Sequence, residues 1–139
     1  MLLNKARGMA GAMTAINVLV SCGFSFTGVW APRAVLPVSA VVTEAARIFA
    51  LYAAVRAAAL AVVCLVVIAR RNVGALLVLG MLAGLIQLLD CAVGVVQHDP
   101  GKIAGPLVIA AAQFWTLLNL KRAVADSERM SNGPDSILR

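Results

Sequence analysis

Residues 73–97 read VGALLVLGMLAGLIQLLDCAVGVVQ, an unbroken apolar stretch in which Asp90 is the one charged residue. As an α-helix these 25 residues would extend about 37 Å, enough to cross the roughly 30 Å hydrocarbon core of a bilayer. A strand of a transmembrane barrel would need only about ten residues, alternating between polar and apolar. The stretch therefore predicts a membrane-spanning helix.

The same pattern repeats on both sides of it. Arg70-Arg71-Asn72 is a tight basic turn, and the apolar segment before it, from about Val38 to Ala69, holds Glu44, Arg47 and Arg56. That segment is longer than a span requires, so its first turns, near Val41 to Arg47, are expected in the headgroup region. Further back, an uncharged stretch from Gly8 follows Lys5 and Arg7 and ends at Ala31-Pro32-Arg33. On the other side, His98-Asp99-Pro100-Gly101 reads as a turn, because Asp-Pro and Pro-Gly both favour reversals. A fourth apolar segment then runs to Lys121-Arg122. The expected fold is all-α: an integral membrane four-helix bundle over residues 1–125, with spans near 8–30, 46–69, 73–97 and 103–120. Residues 126–139, rich in Ser, Asn, Asp and Gly, are expected to form a flexible cytoplasmic tail.

Composition supports this reading. The 139 residues are 62% hydrophobic and 13% charged, too apolar for a soluble domain or a disordered chain. The net charge of +6 would suggest nucleic acid in a soluble protein, but these cations sit mainly at the ends of apolar segments. No nucleic-acid partner is expected. Lys5, Arg7, Arg70, Arg71, Lys121, Arg122, Arg129 and Arg139 fall on one side of the expected membrane, and Arg33 and Lys102 on the other, with Arg47 near that boundary. The positive-inside rule then places both termini in the cytoplasm.

Metal and redox motifs are missing from the sequence. Cys22, Cys64 and Cys91 are too widely spaced for CxxC chemistry or zinc binding, and read as small buried hydrophobes. His98 beside Asp99 is a solvated turn rather than a metal site, and no cofactor motif is present. Leu19-Val20-Ser21-Cys22 has the form of a lipoprotein cleavage box, but such tetrads arise readily within apolar helices. The membrane reading makes coincidence the better account.

Ionisable groups within a bilayer cost roughly 2.5–3.5 kcal/mol each on insertion scales, so Arg56 and Asp90 demand an explanation. Counted back from the basic turn, they lie about 21 Å and about 28 Å deep, an offset an arginine side chain can span. An Arg56–Asp90 ion pair between the second and third spans is expected. Tyr52 lies one helical turn from Arg56, Gln87 shares the Asp90 face, and Ser21 and Ser25 reach similar depth on the first span. The expected site is thus an intramembrane cluster of Tyr52, Arg56, Gln87 and Asp90, rimmed by Glu44, Arg47 and His98. Gly80 and Gly84 form a GxxxG step suited to close helix packing, within the chain or in a homodimer or larger membrane complex.

Leu36-Pro37 before the second span, the Tyr52–Arg56 pair within it, and Asp90 late in the third together resemble the DoxX-like group of small four-helix bacterial membrane proteins. The resemblance implies a multi-pass protein of the bacterial inner membrane. Some members are linked with oxidoreductase or quinone-associated complexes, but no redox motif here carries such a role. Small multidrug exporters also have four helices, but they rely on an acid in the first, and Gly8–Pro32 contains none. Four-helix disulfide-forming enzymes need the CxxC this chain lacks. The functional expectation is a binding or accessory protein with a polar intramembrane pocket for a lipophilic molecule or quinone. The alternatives are a small enzyme using acid–base chemistry on a lipophilic substrate and, third, a proton-coupled carrier.

Overall fold

A computed structural model describes residues 2–37 and 40–131. Its elements in chain order are α1 (Leu2–Trp30), the short α2 (Pro32–Val35), α3 (Glu44–Ala69), α4 (Val73–Val96) and α5 (Pro100–Ser131). No strand occurs among the described residues. The four long helices are all long and apolar enough to cross a membrane. Their outward faces carry large apolar side chains such as Phe49, Val62, Val78, Leu89 and Val108, all exposed. That surface is compatible with contact with lipid and unsuited to water.

Local chemistry sets the boundaries. The Thr43 side chain accepts a hydrogen bond from the Ala46 amide (3.2 Å) and starts α3, and Asn72 does the same for Ala75 (3.0 Å) at the start of α4. Asp99 Oδ1 accepts from the amides of Gly101 (3.0 Å) and Lys102 (3.3 Å), so α5 begins at Pro100. Proline suits that first position, where its missing N–H removes nothing. The reversal therefore falls on Gln97–Asp99, and the expected turn residues Pro100 and Gly101 are already helical. Helices α3 and α4 each end in a left-handed residue, Arg71 (φ 57°) and His98 (φ 53°). In both turns the flanking amides bond back to the last helical carbonyls, as in a Schellman motif.

Two differences from the sequence reading concern helix ends. The first helix starts at Leu2, ahead of Lys5 and Arg7, and α5 continues through Ser131. Residues 126–131, expected in the tail, are thus helical, and 132–139 lie outside the described residues. A tertiary contact supports the extension of α1 and the stretch of α5 between the expected span end at 120 and Val124. Leu3 and Ala6 of α1, and Val124 of α5, pack against a buried cluster of Ala10, Leu76, Leu117 and Leu120.

The helices do not pack as a simple ring of chain neighbours. The α1 helix lies against both α3 and α5, α4 lies mainly along α5, and α3 and α4 touch little for a directly connected pair. Glycines explain the α4–α5 fit. A Cβ on Gly80 would come within 2.9 Å of Leu117 and Gln113, and one on Gly84 within 3.0 Å of the Phe114 ring. On Gly94 it would lie 2.5 Å from the Lys102 carbonyl oxygen. The GxxxG step thus faces α5 of the same chain, where the close approach gains dispersion contacts.

Candidate functional site

Near the Arg70-Arg71 turn, α3 and α4 meet through a cluster of Ala61, Cys64 and Ala83 with Val18 of α1. Beyond Leu60 they are separated by a cavity of about 650 Å³. Its walls are mostly apolar: Phe24, Ala53, Ala57, Ile86, Val93 and Ile109 are among them. Its polar lining comes from every long helix: Ser21 and Ser25 of α1, Arg56 of α3, Gln87 and Asp90 of α4, and Lys102 of α5, with Gln97 from the turn.

A hydrogen-bonded network that the sequence reading missed forms the floor. Gln87 Nε2 donates to Asn17 Oδ1 (2.8 Å) and Ser21 Oγ (3.1 Å). Asn17 Nδ2 donates to Gln113 Oε1 (3.3 Å), and Gln113 Nε2 donates to Thr14 Oγ1 (2.9 Å). Thr14 in turn donates to the Ala10 carbonyl (2.8 Å). Thr14, Asn17, Gln87 and Gln113 are all buried, and no buried side-chain nitrogen or oxygen among the described residues lacks a partner. A saturated network like this rigidifies the α1–α4–α5 contact and leaves few groups free for a ligand. One sequence signal was available: Thr14, Asn17, Ser21 and Ser25 follow one another at three- and four-residue steps, a polar stripe along one face of α1.

At the mouth, Lys102 ties three segments together. Its Nζ donates to the Val35 carbonyl (2.6 Å) and to Gln97 Oε1 (2.7 Å), and pairs with Asp99 Oδ2 (3.2 Å). The α1–α3 connection is thereby fastened to the α4–α5 turn. Asp99 lies outside the apolar span, and the Lys102 ammonium beside it holds its carboxyl below the usual carboxylate range.

The expected residues divide accordingly. Arg56, Gln87 and Asp90 line one cavity, but the expected Arg56–Asp90 ion pair does not form: no contact within 4.0 Å joins them, and Lys102–Asp99 is the one salt bridge among the described residues. The reason is packing, because α3 rests on α1 and leaves the cavity between itself and α4. Tyr52 does not line the cavity. It is exposed on α3, with the Arg56 guanidinium carbon 6.0 Å from its ring centroid. The expected rim is also replaced. Glu44 and His98 are exposed and line neither recess, and Arg47 borders a separate one with Trp30 and Arg33. The rim residues are instead Lys102, Gln97, Val35 and Leu36.

No group of three or more His, Cys, Asp or Glu among the described residues could hold a metal ion. Comparison of the chain with family models, curated proteins and solved structures returns no match.

Proposed function

We propose that the chain is a membrane-embedded four-helix bundle with both ends in the cytoplasm, and that it binds a lipophilic molecule in the α3–α4 cavity as a binding or accessory protein. The observation that carries this reading is the cavity itself. Its volume of about 650 Å³ falls within the roughly 300–1,000 Å³ of ligand sites, and its few polar groups converge within apolar walls. The excess of cations at the end bearing Lys5, Arg70, Arg71 and Lys121 supports the orientation. Of the positions that carry the DoxX-like resemblance, Leu36, Arg56 and Asp90 line this cavity.

A second reading has one observation in its favour. The Asp90 carboxylate has no ion-pair partner, so it could take a proton from a bound substrate as a general base. A proton-coupled carrier finds less support. A relay needs titratable groups at successive depths, whereas the network below Asp90 consists of amides and hydroxyls.

Gly105 offers a direct test, since it lines the cavity and a Cβ there would meet nothing within 4 Å. With a phospholipid carrying a diazirine in its acyl chain, crosslinks are expected on cavity residues such as Ala57 and Ile86, and Gly105→Leu should abolish them. Crosslinks restricted to outward residues such as Val62 and Leu89, unchanged by Gly105→Leu, would overturn the binding reading.

A further inference from the structure

The cavity presents two charges of opposite sign, on facing helices, that do not satisfy each other. Arg56 and Asp90 both line it, yet they make no ion pair with one another and no side-chain hydrogen bond to the described chain. Each of the other polar side chains of the lining already makes at least one hydrogen bond. Gln87 is held by Asn17 and Ser21, and Lys102 is held by Val35, Gln97 and Asp99. The Arg56 guanidinium carbon lies over the Tyr52 ring at 6.0 Å, an arrangement that uses none of its N–H donors. What remains in charged form for a ligand is one guanidinium and one carboxylate, both exposed, on the walls of a mostly apolar recess.

Such a pair discriminates by charge. A purely anionic headgroup would satisfy Arg56 but would be repelled by Asp90, and a purely cationic one would face the reverse mismatch. A molecule carrying both charges satisfies both. Guanidinium matches phosphate oxygens in a two-pronged fork. A carboxylate pairs best with an ammonium that donates N–H bonds, and a quaternary choline has none to give. The opening between α3 and α4 would let acyl chains pass from the cavity to the surrounding lipid.

We infer that the cavity holds the head of a zwitterionic aminophospholipid of the phosphatidylethanolamine type, its phosphate on Arg56 and its primary ammonium on Asp90. This inference rests on the cavity being a site for a lipophilic molecule, and it names the class of that molecule.

The test is native mass spectrometry of the full chain released from nanodiscs containing equimolar phosphatidylethanolamine, phosphatidylcholine and phosphatidylglycerol with identical acyl chains. The wild type should retain phosphatidylethanolamine about tenfold over either competitor. Asp90→Asn should erase the preference over phosphatidylcholine and raise phosphatidylglycerol retention. Arg56→Gln should lower phosphatidylethanolamine retention about tenfold. The conservative variants Arg56→Lys and Asp90→Glu should keep the wild-type order, and they serve as the test if the neutral variants do not fold. Equal retention of all three lipids by the wild type, or an unchanged preference in both neutral variants, would overturn the aminophospholipid inference. If Gly105→Leu still abolished retention in that case, the cavity would stand as a lipophile site of other specificity. Absence of any retained lipid in the wild type would remove both readings.

Discussion

Gln87 Nε2 on α4 donates to Asn17 Oδ1 on α1 at 2.8 Å, with both side chains buried. This contact lies under the cavity and joins two helices that are distant in sequence. Replacing Gln87 by Leu should leave the Asn17 oxygen unpaired and destabilise the fold by about 1–3 kcal/mol. Asn17→Leu with Gln87→Leu should cost less than the two single changes summed. The coupling, about 0.6–1.7 kcal/mol by analogy with other membrane contacts, can be read from a double-mutant cycle of unfolding in mixed micelles.

Glycine substitutions should rank by what their Cβ meets. At Gly94 it meets the Lys102 and Ile103 backbone, which cannot swing aside, so Gly94→Ala should destabilise by about 1–3 kcal/mol. At Gly80 the nearest atoms are the ends of Leu117 and Gln113, which can yield in part, so Gly80→Ala should cost less. Gly23 has nothing within 4 Å, and Gly23→Ala should be neutral or stabilising by up to about 1 kcal/mol. Thermal unfolding of the three variants in one detergent checks the order.

The Lys102–Asp99 contact should show in the titration of Asp99. Because Lys102 depresses the Asp99 pKa in the folded chain, the pair contributes stability above the ordinary carboxylate range. That contribution is lost as pH falls through the depressed value. In Lys102→Met the Asp99 carboxyl should titrate at higher pH than in the wild type, followed by carboxyl ¹³C NMR, with the Gly101 and residue-102 amides still holding part of the depression. The same variant frees the Val35 carbonyl, so amide exchange across residues 33–36 should quicken.

The orientation can be read with cysteine probes in a cysteine-free background. Ser131→Cys should react with a membrane-impermeant maleimide only after cells are opened, and Ala40→Cys should react in intact cells. The reverse pattern would invert the topology derived from the cation distribution.

Much of the helix layout was legible in the sequence because long apolar runs bounded by charged or turn-forming residues mark it. A span must be about 20 apolar residues with every backbone group bonded internally, so charge-free runs and basic turns mark the helices directly. Asn72, Thr43 and Asp99 could be read as caps by the same local chemistry. The site was half legible. Arg56, Gln87 and Asp90 do share a cavity, since ionisable residues stand out in an apolar run. Thr14, Asn17 and Gln113 were passed over because neutral polar groups are cheaper to insert and do not announce a partner.

What the amino-acid order determined by itself is the number, length and ends of the long helices, apart from the polar extensions of α1 and α5. These are local properties of the chain. Only the tertiary structure decided which helix each face meets. It turned Gly80 and Gly84 toward α5, placed α3 on α1, and so set Arg56 and Asp90 facing one cavity without a salt bridge. The physical reason is that helix association in lipid depends on the fit of small side chains and the closure of hydrogen bonds between distant segments. Hydropathy, being much the same on every lipid-facing side, carries no information about that choice.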